Sequence, residues 1–146
     1  MKLIIHRGAH QVGGSCVELS HEDTTILLDI GLPLDYSMDE DPESCTPQPL
    51  FNQMQKGQKH IDAVILSHAH LDHYGLADLL PNEIPVYCGK ASAALMEITG
   101  LVTKKSKSLK PYYYNSQQPF RVGSFTITPY LMDHSAFDAY GFLVQA

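Results

Sequence analysis

Tryptophan is absent from the 146-residue chain, and cysteine is sparse: Cys16, Cys45 and Cys88 stand far apart, with no CxxC pair. That spacing argues against a zinc ribbon and a disulfide framework, and a reducing, cytoplasmic setting is the simplest expectation. Long apolar runs are missing too. The opening Met1-Lys-Leu-Ile-Ile-His-Arg7 has only Leu3, Ile4 and Ile5 before charge returns, too short for a signal peptide. No stretch approaches the roughly 20 apolar residues of a membrane span, so no membrane partner is expected. Basic residues are outnumbered, 10 Lys and Arg against 16 Asp and Glu, for a net charge of −6. A binder of polyanions usually shows a basic excess somewhere. Here Lys104, Lys105, Lys107 and Lys110 sit together, so a local site stays open. With 44% hydrophobic and 18% charged residues the chain is not a disordered one, and its length suits one domain over residues 1–146.

What is present divides into short apolar segments set off by turn residues. Residues 3–6, 15–20 and 24–29 read as strands of an antiparallel meander, separated by Gly8, Gly13 and Gly14 and by the polar His21-Glu-Asp23. Residues 33–60 hold four prolines and the acidic run Asp39-Glu-Asp41. They read as a long solvated loop, of a length that often serves a functional site, with a helical turn at 51–55. Residues 61–66 are apolar and β-branched and read as a buried strand. After it come a short helix over 75–80 closed by Pro81, a strand over 85–88, and a helix over 91–99 stopped by Gly100. Residues 119–122 and 124–130 flank Gly123 as a hairpin, and 140–144 form a last strand. This order predicts a mixed α/β layered architecture. Tyr112-Tyr-Tyr114 reads as a packed or half-exposed strand, although beside the lysines it could stack bases.

Ser67-His-Ala-His-Leu-Asp-His73 packs four ligand-type side chains, His68, His70, Asp72 and His73, into the stretch just after a buried strand. Strand ends are where α/β proteins place their sites. Imidazole nitrogens and carboxylate oxygens are the donors of catalytic zinc centres. In an extended segment His68 and His70 point to the same side, and Asp72 and His73 follow as the chain turns, so one segment could serve two cations. His6, His10, His21 and His60 lack such a context and read as surface or turn residues.

His-x-His-x-Asp-His after an apolar strand resembles the signature of the metallo-β-lactamase superfamily, an αβ/βα sandwich with two metals at one edge of its sheets. The resemblance implies that His68 and His70 hold a first metal together with His134, in Met132-Asp-His-Ser-Ala136, and that Asp72 and His73 hold a second. Asp29, which closes Ile26-Leu-Leu-Asp29, resembles an acidic residue that orients metal ligands from behind; a strand-end turn former is its other reading. Gly8-Ala-His-Gln-Val-Gly-Gly-Ser-Cys16 and the pair His134-Ser135 resemble the RNA-processing branch, which includes ribonuclease J and the endonuclease of mRNA 3′-end cleavage. Ser135 would there touch a phosphate, or else hydrogen-bond the local backbone.

The resemblance implies a metal-dependent hydrolase, a phosphodiesterase or ribonuclease acting on RNA through a metal-activated hydroxide, with Asp72 as the catalytic residue. One or two Zn²⁺ ions suit the donors, with Mn²⁺ or Fe as alternatives. The family's second half brings a bridging aspartate and a late histidine; Asp133 and Asp138 are the acids beyond Glu97, and neither matches. The expectation is therefore the first half of the sandwich, a fragment completed by a missing C-terminal half or by a homodimer. Two other readings stay open: another hydrolase of the same fold, such as a thioesterase or lactonase, and an incomplete, inactive metal-binding module.

Overall fold

The computed structural model describes residues 1–37, 39–103 and 109–146. A connection over residues 8–15 and a two-residue turn link β1 (Lys2–Arg7), β2 (Cys16–His21) and β3 (Thr24–Leu28), and connections too short for a crossover return each strand antiparallel to its predecessor. From β3 onward the connections are long enough to cross over. β4 (Ala63–Ile65), β5 (Val86–Gly89) and β6 (Tyr112–Tyr114) therefore join in parallel, and the sheet runs β1-β2-β3-β4-β5-β6. Crossovers carry α1 (Gln48–Gln55), α2 (Leu71–Tyr74) and α3 (Lys90–Thr103). A second sheet of β7 (Phe120–Val122), β8 (Phe125–Leu131) and β9 (Tyr140–Gln145) is antiparallel throughout.

Side-chain alternation along each strand divides the core in two. Cys16, Leu27, Val64 and Leu66 face one way and meet Leu50, Phe51, Leu76 and Met96 from the crossovers. Leu19, Ile26, Ala63 and Ile65 face the other way, onto Val122, Phe125 and Ile127 of the second sheet. The layers are thus helices, sheet and sheet, in agreement with the expected first part of an αβ/βα sandwich. Tyr114 ties the two halves together: its ring sits in the inter-sheet core and its hydroxyl donates to the Leu66 carbonyl at 2.5 Å.

Four expectations shift. The helix placed at 75–80 is instead the single turn α2 followed by a 3-10 turn at Ala77–Leu79, because the Leu76 amide leaves the helix to bond the Ile30 carbonyl at 3.0 Å. Gly100 does not stop α3, which continues to Thr103 with Gly100 buried. The 33–60 loop carries more structure than expected: Asp41 accepts from the Glu43 amide at 3.0 Å to start a 3-10 turn over Pro42–Cys45, and α1 begins at Gln48 with Pro49 in its first turn, where no amide partner is needed. His6 is no surface residue; its Nε2 lies 2.9 Å from Oε2 of the buried Glu18, whose Oε1 accepts from Lys59 at 2.5 Å. Of the lysine cluster, Lys104, Lys105 and Lys107 fall outside the described residues, while Lys110 is exposed. No helix among the described residues is long and apolar enough to cross a membrane.

Candidate metal centre

The chain leaves β4 extended, and this decides which side chains meet. His70 keeps extended angles, φ −92° and ψ 140°. His68 and His70 therefore fall on one side while Ala69 turns to the helix-side core. The helical turn α2 then swings Asp72 and His73 round beside them. His68 Nε2 lies 3.1 Å from His70 Nδ1 and 3.2 Å from Nε2 of His134, which arrives from the far loop between β8 and β9. The donor atoms of these three residues all lie within 4.8 Å of one another. Two nitrogens about 2.05 Å from one Zn²⁺, at the tetrahedral angle, would sit about 3.3 Å apart, so these separations fit a single cation. Asp72 and His73 stand outside that trio but against it. The His73 ring centroid is 4.0 Å from that of His68, and His73 Nε2 is 3.6 Å from Asp72 Oδ2.

Behind the ligand-type atoms a single carboxylate sets the ring orientations. Asp29 accepts from the Ser67 amide at 2.7 Å, from the Ser67 hydroxyl at 2.8 Å and from His73 Nδ1 at 2.7 Å. A carboxylate only accepts, so the Ser67 hydroxyl and His73 Nδ1–H must donate. With its proton turned to Asp29, the Ser67 oxygen accepts from His68 Nδ1, 2.9 Å away. Both His68 and His73 then hold Nδ1–H, and their Nε2 lone pairs face forward. Burial pushes the His68 imidazole down to about 4, helped by the neighbouring His73, His70 and His134, so it is neutral at pH 7. Burial alone would also depress His73, but the hydrogen bond and charge of Asp29, with the charge of Asp72, outweigh it and raise the group.

Backbone bonds clamp this arrangement. The Ile30 amide donates to the His73 carbonyl at 2.8 Å, Leu32 to Leu71 at 2.9 Å, and Ser15 to Asp72 at 3.0 Å. Gly31 passes so close that a Cβ there would stand 1.7 Å from the Asp72 carbonyl oxygen. Gly13, at φ +78°, lies against the Asp72 side chain, with room for a Cβ only 2.9 Å from Oδ2.

Sequence reasoning singled out His68, His70, Asp72, His73, His134 and Asp29, and the fold brings all six together. Ser135 is exposed on the β8–β9 loop. Ser67 was assigned no role; its position directly before the first histidine was the available signal.

The chain belongs to the metallo-beta-lactamase superfamily, which it matches over residues 11–135. Membership implies a divalent metal. Among similar proteins is the transcription termination factor FttA of Methanosarcina mazei, 40% identical over 98 residues that cover 64% of this chain and 14% of the relative. Ribonuclease J of Mycoplasma pneumoniae is 26% identical over 147 residues, covering 99% of this chain and 26% of the relative. The chain thus spans about a quarter or less of the length of these relatives. A crystal structure of a subclass B3 metallo-beta-lactamase from a soil metagenome library superposes with a TM-score of 0.66 at 17% identity, over 92% of this chain and 52% of that one; this likeness bears on the fold alone.

Proposed function

We propose that this chain is the metal-binding part of a hydrolase that cleaves phosphodiesters, with RNA as the substrate class. The observation that carries the reading is the convergence of His68, His70 and His134 nitrogens at single-cation spacing, with Asp72 and His73 alongside. The names of the relatives, a ribonuclease and a transcription termination factor, support RNA over a thioester or lactone. In this reading His68, His70 and His134 hold the first divalent cation, Zn²⁺ by donor type, and Asp72 and His73 contribute to a second. A cation bound there supplies Lewis acidity, which brings the pKa of water towards 7 and neutralises phosphate charge. That local charge also lets a protein with a net charge of −6 approach RNA.

The chain's own residues do the positioning. Asp29 fixes His73 directly and His68 through Ser67. Asp72 orients the attacking water and accepts its proton, and Ser135, exposed beside His134, contacts the phosphate. A reducing cytoplasm, the setting that the sparse and widely spaced cysteines suggest, belongs to the same reading. A specific observation favours a second reading, a metal-binding module inactive by itself: among the described residues the candidates for the second position are Asp72 and His73. A C-terminal half or a second copy of the chain would then complete it.

Metal analysis by mass spectrometry, followed by assays on RNA, a thioester and a lactone, separates these readings. Near two metals per chain with RNA cleavage, and loss of both in His68→Ala, is the expected result. A metal-replete protein that opens the thioester or lactone and leaves RNA intact would overturn the nuclease assignment. Metal bound without any hydrolysis supports the inactive module.

A further inference from the structure

His134 presents a problem of position. It is exposed, on an eight-residue loop whose Ser135 and Phe137 are exposed too, yet its ring must meet His68 from across the molecule. Burial of the histidine itself does not hold it there. The loop runs from Leu131, the last residue of β8, to Tyr140, the first of β9. Its base is closed by the Met132 amide on the Ala139 carbonyl at 2.9 Å, and its returning limb is tied by the Tyr140 amide to the Ser67 carbonyl at 3.0 Å. Between these ties stands Asp138.

Asp138 makes four polar or steric contacts, three of them to Ser92 and Gly89 at the junction of β5 and α3 and one to Tyr140 at the start of β9. Its Oδ2 accepts from the Ser92 amide at 2.8 Å, and its carbonyl accepts from the Ser92 hydroxyl at 2.9 Å. Its Oδ1 accepts from the Tyr140 hydroxyl at 2.8 Å. The carboxylate therefore takes one of the amide donors that the first turn of α3 cannot satisfy internally, the end of a helix that also favours negative charge. The fourth contact is steric. Asp138 sits over Gly89, where a Cβ would stand 2.2 Å from Oδ2 and 2.7 Å from Cγ. Asp138 also adopts φ +64°, a left-handed conformation that Asp and Asn accept more readily than other residues with a Cβ.

We infer that Asp138 is a positioning residue for His134: by docking the β8–β9 loop onto the first turn of α3, above Gly89, it fixes the end of the loop four residues past the histidine and so holds the imidazole at His68. The inference rests on the reading of His68, His70 and His134 as ligands of one cation. It gives Asp138, an acid that matched no family position in the sequence, a place in the site as an anchor and not as a ligand. It also gives a reason for glycine at position 89, where β5 ends and α3 begins.

The test measures Zn²⁺ affinity by chelator competition in the 146-residue protein, with amide hydrogen exchange of the metal-free protein as a second readout. Asp138→Ala and Gly89→Ala reach the same contact from its two sides, and each is expected to weaken the tighter Zn²⁺ site about tenfold or more. Asp138→Asn keeps an oxygen acceptor and tolerates the backbone, so it should retain most of the affinity. If Asp138 acts through His134, Asp138→Ala adds no further loss in a His134→Ala background; an additive loss overturns the inference, as does unchanged affinity accompanied by a lower melting temperature. Wild-type protein that binds no Zn²⁺, or His134→Ala that binds as tightly as wild type, overturns the ligand reading instead. In that event exchange decides the anchor: faster exchange of the Met132 and Tyr140 amides in Asp138→Ala supports it, and unchanged protection overturns it.

Discussion

At the scale of single residues, Asp29 is the position where one atom controls most. Its Oδ2 serves both the Ser67 hydroxyl and His73 Nδ1, so a single oxygen sets two imidazole orientations. Asn at this site keeps the φ of +59°, which Asn tolerates, and replaces one acceptor by a donor that faces His73 Nδ1–H. Asp29→Asn is therefore expected to fold normally and to bind Zn²⁺ about 10–100-fold more weakly, as removal of such partners does elsewhere; a chelator titration at constant ionic strength checks it. Equal affinity would show that the rings are held by packing. His68, His70, Asp72 and His73 were legible because chemistry is carried by residue type and spacing, whereas His134 and Asp29 were legible only through the family resemblance. Ser67 was not, because a serine beside a histidine says nothing until the fold turns both towards Asp29.

At the scale of elements, the metal-type loop is held by backbone more than by side chains. Four amides, of Ser15, Asp29, Ile30 and Leu32, donate to the carbonyls of Asp72, Ile65, His73 and Leu71 and so tie the residue before β2 and the exit turn of β3 to β4 and α2. Gly31 lets the two backbones touch, and there is no rotamer by which an alanine could evade the Asp72 carbonyl. Gly31→Ala should thus cost about 3 kcal/mol or more, the upper range for overpacking, and appear as a lowered urea midpoint. A loss under about 1 kcal/mol would mean the two turns separate freely. Element types were largely readable from period and turn residues, as β1 to β3 and the β7–β8 hairpin show. Boundaries failed where a tertiary bond competed. The Leu76 amide chose Ile30 over its own helix, and the buried Gly100 stayed helical in α3 against its low propensity.

At the scale of the whole molecule, one buried charge links the sheet edge to the crossover before β4. Glu18 on β2 is 1% exposed and is met by His6 of β1 and by Lys59. Burial pushes its carboxyl up, but the hydrogen bonds and charges of Lys59 and His6 outweigh that and hold it below its ordinary value of 4.5. A carboxyl depressed in the folded state adds stability above its unfolded value, and that stability is lost as pH falls through the folded one. Glu18→Gln should therefore lose about 2 kcal/mol at pH 7, as for a hydrogen bond to a charged group. The gap to wild type should close as pH falls below 4.5. Urea melts at several pH values check this, and parallel curves for the two proteins would count against it.

The sequence by itself determined the family, the alternating strands, the cluster at 68–73 and the nature of its donors, because these depend on residue type and on separations of a few positions. Only the tertiary structure decided that His134 meets His68 across 66 residues of chain, that Asp29 bonds His73 directly and His68 through Ser67, and that Asp138 docks on Ser92 at the start of α3. The physical reason is that a ligand set requires nitrogens about 3 Å apart. Separations that small between distant segments are fixed by sheet order, by which face each residue occupies, and by where two backbones can touch.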